Sequence, residues 1–340
     1  MLNCITMKKK IICIVGPTAS GKTKLAVELA KKFGGEIISA DSRQVYKGLD
    51  IGAGKDLSEY GKVPYHLIDI CEPEEKFTLF NWLKEAREKI DALHSQNILP
   101  IVVGGTGLYT QALVEGFQLA PANFKLQNPN FKSISNDKCP NFKTKIYTRK
   151  ELEKKSLKQL REIYNRLPAT DNKLDLNNPH RLIRAIEKAQ TNILPTKKKP
   201  NFEALQIGIK MPREKLYERI DKRVDQRFEK EGMLEEVADL IDREVDINWL
   251  TKLGLEYRIV GIYVMSQRLG LKNLKIKKLI ENSKFKIDNF NSFESMATLL
   301  KYKSHAFSRR QLTWYRRFPA IVWVTSEKEA FAAVDNYLKM

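Results

Sequence analysis

The sequence predicts an α/β fold, in which a parallel sheet is flanked by helices and interrupted by a mainly helical insertion. Two observations predict it. Short apolar runs alternate with amphipathic stretches of helical spacing, which is typical of strand–helix–strand units and a parallel sheet. The alternation stops near residue 117 and resumes near residue 204. We therefore expect a discontinuous core, residues 1–116 plus 201–340, and a helical insertion domain, residues 117–200.

The first apolar run, Ile11–Val15, leads directly into a glycine-rich motif, and a helical stretch from Lys24 to Lys32 follows. The motif is Gly16-Pro17-Thr18-Ala19-Ser20-Gly21-Lys22-Thr23, which has the form G-x-x-x-x-G-K-[ST]. In this context, loop N–H groups and a helix N-terminus point at an anion. Lys22 is predicted to reach the terminal phosphates and the Thr23 hydroxyl to hold Mg²⁺, so the sheet is P-loop NTPase-like. A glycine-rich turn without chemistry is the alternative.

Three further strands are predicted in the first third of the chain: Gly35–Ala40, His66–Ile70 and Ile98–Val103. An amphipathic helix, Phe77–Ser95, precedes the last of them. Open parallel sheets carry their ligands at the carboxyl ends of their strands. We therefore expect Asp41, which follows the second strand, and Thr106, which follows the fourth, to lie near the phosphate loop.

The second half of the chain is predicted to begin with a loop, Phe117–Lys145, and to end in the sheet. The expected helices are Arg149–Arg166, Pro179–Gln190, Pro212–Lys230, Met233–Arg243, Thr251–Leu269, Lys272–Ile280, Glu294–Arg317 and Glu327–Leu338. The expected strands are Ala204–Lys210 and Ala320–Val324, and a lysine-rich linker, Pro195–Pro200, precedes the first of them.

The charge of the chain favours a polyanionic partner. The formal net charge is +19 and the pI is about 9.6, a balance most often associated with nucleic acid, although a lysine-rich surface without function is the alternative. No apolar stretch approaches the ~20 residues needed to cross a bilayer, and no signal peptide precedes the first strand. The four cysteines show no C-x-x-C spacing. We expect a cytoplasmic protein without a membrane segment, a structural zinc site or a disulfide framework.

The residues near the phosphate loop allow several roles. Most P-loop ATPases place an acidic residue at the end of a later strand, whereas Ile98–Val103 ends in Gly-Gly-Thr, which argues against ATP hydrolysis. Asp41 is a candidate general base or metal ligand, and Thr106 a candidate donor to a bridging phosphate oxygen; for both, a helix N-cap is the alternative. Arg219 and Arg223 are candidates for neutralising a diphosphate, with a solvated helix face as the alternative.

Six segments together resemble one enzyme family. They are GPTASGKT, SADSRQVYKGLDIG, PIVVGGTGLY, NPHRLIRAIE, LYERIDKRV and RRQLTWYRR, and they follow one another from about Ile11 to Phe318. Their order and spacing resemble those of the tRNA dimethylallyltransferases, also called isopentenyl transferases. The resemblance implies a P-loop that holds the diphosphate of dimethylallyl diphosphate with Mg²⁺, and transfer of the dimethylallyl group to the exocyclic amine of the adenosine 3′-adjacent to the tRNA anticodon.

The same resemblance implies roles for individual residues. Asp41 would accept a proton from the attacking amine, Thr106 would bond the bridging oxygen, and Lys22 and Arg223, with Arg219 as a weaker candidate, would stabilise the leaving diphosphate. The implied partner is a tRNA anticodon stem-loop, bound by a monomer. The residues implied to contact tRNA are Ser42, Arg43, Gln44, His180, Arg181, Arg184, Arg309, Arg310, Gln311 and Arg316. For the ring of Trp314, burial in the core is favoured over RNA contact.

The chain departs from the family pattern at three places: Ser304-His305-Ala306 replaces T-R-Q, Gly52-Ala53-Gly54-Lys55 replaces G-T-[AG]-K, and residues 119–145 differ from the common insertion. Two other functions compete with tRNA prenylation. One is prenyl transfer to free AMP, ADP or ATP, which would not require a long basic surface. The other is a P-loop kinase or a nucleotide-binding RNA module, against which the DSRQVY segment argues.

Overall fold

A computed structural model describes residues 9–119, 147–167, 174–191 and 196–340. Within these ranges the chain forms two compact units, residues 1–116 with 199–340 and residues 117–198. The predicted α/β class is confirmed, since six parallel strands form a sheet in the first unit, in the order β3-β2-β4-β1-β7-β8. These strands are β1 Lys9–Val15, β2 Gly35–Ser39, β3 Tyr65–His66, β4 Leu99–Val103, β7 Phe202–Ile209 and β8 Ile321–Val324.

The helices of the first unit cover the sheet and form a second apolar core. They are α1 Lys22–Phe33, α2 Leu79–Ser95, α3 Gly107–Val114, α7 Arg213–Glu229, α8 Met233–Asp242, α9 Ile247–Leu253, α10 Leu255–Leu269, α11 Leu274–Ser283, α12 Phe293–Tyr315 and α13 Glu327–Lys339, with 3₁₀ turns at Leu57–Tyr60 and Ile287–Phe290. Strand residues such as Ile12 and Ile14 are buried beneath α1 because both faces of a parallel sheet are covered. A separate helical core surrounds Tyr257 on α10.

The described part of the second unit contains three helices and a short pair of strands. The helices are α4 Arg149–Glu153, α5 Leu157–Asn165 and α6 Pro179–Thr191. They pack around a small core that includes Leu152, Leu160 and Leu182. Strands β5 Phe117–Gln118 and β6 Thr196–Lys197 pair antiparallel. Of the predicted loop Phe117–Lys145, residues 120–145 lie outside the described residues.

Five element predictions were wrong in detail, and the first is the loop Phe117–Lys145, which begins with strand β5. His66–Ile70 is not a five-residue strand, because Leu67 and Asp69 have positive φ angles and only Tyr65–His66 pairs with β2. The linker Pro195–Pro200 contains β6. The single helix expected over Arg149–Arg166 is divided, because Ser156 forms a capping box with Gln159 and starts a new helix.

The helix expected over Thr251–Leu269 is also two helices, which meet at Gly254. The backbone of Gly254 is fully extended, with φ −168° and ψ 178°, so the helical hydrogen-bond ladder stops there. A Cβ at this position would lie 2.9 Å from Cδ of Arg43. The absence of a side chain at Gly254 therefore leaves room for the Arg43 side chain, which forms part of the site described below.

Candidate functional site

A cleft of about 470 Å³ lies at the carboxyl ends of β1, β2 and β4, where the sequence predicted the ligand site. Helices α7, α10 and α12 supply other parts of its wall. Of the predicted site residues, those lining the cleft are Thr18, Ala19, Gly21, Lys22, Thr23, Asp41, Arg43, Gln44, Arg219, Arg223 and Gln311. The structure thus brings the phosphate loop, the carboxylate after β2 and the arginines of α7 together.

The phosphate loop connects β1 to α1 and curls around its own lysine. The Lys22 Nζ donates to the carbonyl of Pro17 at 2.7 Å. Burial, and then the positive charge of Arg223, lower the pKa of Lys22 to about 8, against the opposite effect of Asp41 and Asp56. The Arg219 guanidinium also lies over the loop, since a Cβ on Gly21 would be 3.5 Å from its Nη2. A bound anion would relieve this excess of positive charge.

Asp41 does not cap a helix, contrary to the alternative considered for it. Its Oδ1 accepts the backbone N–H of Arg43 at 3.0 Å, which forms a local turn, and lies 3.7 Å from Nε of the same residue. Within the described part of the chain, Oδ2 receives no hydrogen bond. One carboxylate oxygen therefore fixes the turn, and the other is available to a ligand in the cleft.

Thr106 occupies the N-cap position of α3, but its hydroxyl does not cap the helix. Instead Oγ1 accepts the N–H of Ser42 at 3.2 Å and donates to the Ser42 hydroxyl at 3.4 Å. Its own N–H donates to the carbonyl of Ala40 at 3.2 Å. Thr106 is not among the residues lining the cleft; it holds the segment that carries Asp41.

Arg223 pairs with a carboxylate that sequence reasoning missed. Its Nη2 lies 2.5 Å from Oδ2 of Asp56, and its side chain is only 27% exposed. Arg223 therefore does not lie on a solvated helix face, which was the alternative considered for it. Asp56 follows Lys55, whose buried ammonium donates to the carbonyl of Tyr46 at 2.8 Å, to Asp50 at 2.5 Å and to Asp69. Lys55 therefore anchors the loop that holds Asp56.

A buried ionic group, Arg43–Glu256–Arg227, forms another part of the wall. Arg43 donates to Oε2 of Glu256, and Nη1 of Arg227 lies 3.8 Å from Oε1 of the same carboxylate. Burial raises the pKa of Glu256, but both arginines outweigh it and hold that pKa below its usual range. Burial and the charge of Arg223 lower the pKa of Arg227 to about 10. The sequence could have indicated Arg227 as a site residue, because it lies four residues after Arg223 on the same helix face. Nothing in the sequence indicates Glu256.

Two glutamines predicted to contact tRNA are bonded inside the protein. Gln44 accepts from the Ser39 hydroxyl at 2.7 Å and donates to the carbonyl of Gly54 at 2.8 Å. Gln311 accepts the N–H of Thr18 at 2.8 Å and donates to the carbonyl of Gly105 at 3.0 Å. Both side chains therefore stabilise the loops that form the cleft.

Of the other predicted tRNA contacts, Ser42 and Arg43 are partly buried in the turn after β2, and the rest are exposed, in two separate groups. His180, Arg181 and Arg184 lie on the solvent face of α6, and Leu182 and Ile186 on its buried face. The other group lies at the end of α12 and comprises Arg309, Arg310 and Arg316. Between members of this second group, the Trp314 ring is partly buried against Val15, Tyr315 and Ile321, as expected for a core residue.

The segment Ser304-His305-Ala306, which departs from the family pattern, contacts helix α7 through His305. The His305 ring stacks on Tyr217 with centroids 4.0 Å apart, and its Nε2 lies 2.7 Å from Oδ1 of Asp221. One turn later, Arg309 donates to the Tyr217 hydroxyl at 2.6 Å. This part of α12 thus packs against the helix that carries Arg219 and Arg223.

The described residues contain no cluster of three His, Cys, Asp or Glu side chains with the geometry of a metal site. None of the helices in the described ranges has the length and apolar character to cross a membrane.

Comparison with known proteins gives consistent matches. Residues 44–318 match the IPP transferase family, and residues 9–62 match a second family, isopentenyl transferase. The tRNA dimethylallyltransferase 2 of Shewanella sediminis is 40% identical over 90% of this chain and 89% of its own length. That of Treponema denticola is 38% identical over 91% and 92%.

Solved structures give the same match. The tRNA isopentenylpyrophosphate transferase of Bacillus halodurans is 30% identical, covers 98% of this chain and 96% of its own, and superposes with a TM-score of 0.60. The corresponding transferase of Staphylococcus epidermidis is 30% identical over 98% and 99%, with a TM-score of 0.58. A eukaryotic dimethylallyltransferase at 22% identity shares the fold, with a TM-score of 0.70.

Proposed function

The chain belongs to the IPP transferase family, and on that premise we propose the reaction that its cleft performs. It transfers the dimethylallyl group of dimethylallyl diphosphate to the exocyclic amine of the adenosine 3′-adjacent to the tRNA anticodon, and pyrophosphate leaves. The observation that carries the proposal is the meeting of a phosphate loop, the free oxygen of Asp41 and the α7 arginines in one cleft. Transfer to free adenylate is not favoured, because relatives matched over most of their length are named for tRNA.

The diphosphate is bound by residues 16–23, with Lys22, Arg219 and Arg223 as its cationic partners. Mg²⁺ commonly keeps several waters and is bound together with substrate phosphates, and the Ser/Thr that ends a phosphate-loop motif supplies a hydroxyl ligand. The Thr23 hydroxyl lines the cleft at the start of α1, and no acidic cluster accompanies it in the described ranges, so this donor set fits a metal shared with the substrate. Bound there, the metal would supply positive charge to the diphosphate.

The chemistry is a displacement at the allylic carbon. The bond from the adenosine nitrogen to that carbon forms, and the bond from the carbon to the bridging oxygen breaks with its electron pair passing to the diphosphate. Oδ2 of Asp41 takes the amine proton, because it is the carboxylate oxygen not engaged in the turn. Lys22 and Arg223 stabilise the charge that develops on the leaving group. Thr106 serves this step by holding Ser42, and through it Asp41.

The tRNA approaches with its anticodon loop, whose adenosine must leave its stack to reach the cleft. The exposed arginines at the end of α12 and on α6 are proposed to bind its phosphates. Lysines such as Lys198 add general attraction that weakens with salt. We also propose that the chain acts as a monomer in the cytoplasm, where tRNA is found.

One assay tests the function. The protein is incubated with labelled dimethylallyl diphosphate and with an unmodified tRNA transcript, the same transcript carrying guanosine in place of the target adenosine, or AMP. We expect label on the first substrate alone. Label on AMP but not on tRNA, or label on neither, would refute the proposal.

A further inference from the structure

The Gln311 side chain joins two loops of the cleft with one amide group. It is buried, with 8% of the residue exposed, and lies near the end of α12. Its Oε1 accepts the N–H of Thr18 in the phosphate loop, and its Nε2 donates to the carbonyl of Gly105 beyond β4. Strands β1 and β4 are neighbours in the sheet, so Gln311 links the two loops that leave their carboxyl ends.

A second residue on the same face of α12 strengthens this link. Tyr315 lies one turn after Gln311, is buried, and donates its hydroxyl to the carbonyl of Gly104 at 3.3 Å. Gly105 has little space for a side chain, because a Cβ there would lie 2.9 Å from Nε2 of Gln311. The helix is thus held at close range to the Gly104–Gly105 backbone.

The contacts continue from Gly105 to the carboxylate. Thr106 follows Gly105, its hydroxyl holds the N–H of Ser42, and Ser42 follows Asp41. A displacement reaction requires the attacking atom to lie about 3–3.5 Å from the carbon it attacks and in line with the leaving group, and a misplacement of about 1 Å can cost about 10²-fold in rate. The structure therefore contains a continuous set of contacts from the phosphate loop, proposed to hold the leaving group, to Asp41, proposed to accept the proton.

We propose that Gln311 is a positioning residue that fixes the spacing between the phosphate loop and the Asp41–Thr106 segment, rather than a contact for tRNA. This inference rests on the proposed prenyl transfer. It requires a side chain with both a donor and an acceptor, since Thr18 offers an N–H and Gly105 a carbonyl. Glutamate retains only the acceptor, and methionine, of similar length, retains neither.

The test compares Gln311→Glu and Gln311→Met with the wild type. We expect kcat at saturating tRNA to fall about 10- to 10²-fold in both variants, while the Kd for tRNA stays within about twofold. Without any substrate, hydrogen exchange of the Thr18 amide is expected to stay slow in Gln311→Glu and to become fast in Gln311→Met. Gln267→Glu, on the exposed face of α10, is the matched control and should behave as wild type.

A weaker Kd for tRNA with unchanged kcat would overturn the inference, and so would wild-type values in both variants. If the Gln311 variants fail to fold, Tyr315→Phe keeps the ring and removes the hydroxyl, with its bond to Gly104 and its interaction with the backbone of Gly16. It should lower kcat several-fold without changing the Kd for tRNA; unchanged kcat would contradict the proposal. Absence of label with the wild type would refute the prenyl transfer itself, whereas the exchange of the Thr18 amide still tests the link.

Discussion

Replacing Asp41 with asparagine removes the proposed proton acceptor and leaves its surroundings almost unchanged. The asparagine oxygen can still accept the N–H of Arg43, now 3.0 Å from Oδ1. Arg43 loses the opposite charge 3.7 Å from its Nε but keeps its bond to Glu256. We therefore expect the turn to persist, because the N–H of Arg43 keeps its acceptor and the Arg43 guanidinium keeps its carboxylate partner.

The expected loss of rate follows from what remains in the cleft. A positioned general base contributes about 10²–10⁴-fold, or about 3–5 kcal/mol of activation free energy. Lys22, Arg219 and Arg223 still line the cleft in the variant, so we expect binding of the diphosphate and stabilisation of its charge to be retained. We expect Asp41→Asn to lower kcat by about 10²- to 10⁴-fold and to leave the Kd for tRNA at its wild-type value.

Single-turnover transfer of label from dimethylallyl diphosphate to tRNA measures this rate, and filter binding measures the affinity for tRNA. Asp335→Asn is a suitable control, because Asp335 pairs with Lys339 on an exposed helix face, away from the cleft residues. A single-turnover rate for Asp41→Asn within about threefold of wild type would remove Asp41 as the base, since a general base is worth at least about 10²-fold.

Four other predictions concern separate parts of the molecule. Because the pKa of Lys22 is lowered to about 8, the free protein loses this positive charge as the pH rises through that value. Calorimetry should therefore show weaker pyrophosphate binding above about pH 8, and Lys22→Met should bind pyrophosphate weakly at every pH. An affinity of the wild type that does not change with pH would contradict the assignment. Arg223→Ala should lower kcat about 10²-fold at unchanged tRNA affinity, and a normal kcat would argue against its role on the leaving group. Arg310→Ala should weaken tRNA binding and reduce the salt slope by about one unit, whereas an unchanged slope would indicate no phosphate contact. Leu182→Ala removes a fully buried side chain and should destabilise the insertion by about 2–5 kcal/mol, measured by hydrogen exchange of residues 147–167; unchanged protection would show that this core is not cooperative.

The sheet was predictable because its strands carry their own signal. Ile11–Val15 and Ile98–Val103 are continuous apolar runs, as expected for strands buried on both faces, and the structure places them within two residues of their predicted bounds. The boundaries that failed depend on partners distant in sequence. The third strand ends before Leu67, which has a positive φ, and Asp69 two residues later bonds to buried Lys55. Gly254 divides a helix where the Arg43 side chain packs.

The site was predictable to the same degree. The phosphate loop and Asp41 lie at strand ends, which a motif and a strand pattern locate without knowledge of contacts. Glu256 was missed because a buried carboxylate is recognised only by the arginines around it, and these come from other parts of the chain. The role of Gln311 likewise depends on what its amide touches, which the motif around it does not reveal.

The short pair of strands β5 and β6 marks where the insertion could be removed from the chain without removing residues of the cleft. Phe117 pairs with Lys197 and Gln118 with Thr196, so the two ends of the segment are about 5 Å apart. A two-residue turn can close an antiparallel pair of this kind, as in a hairpin. A chain in which such a turn replaces residues 119–195 would retain the phosphate loop, Asp41, Gln311 and the exposed arginines at the end of α12 in one unit. It would allow the chemical step to be studied apart from the proposed tRNA contacts of α6.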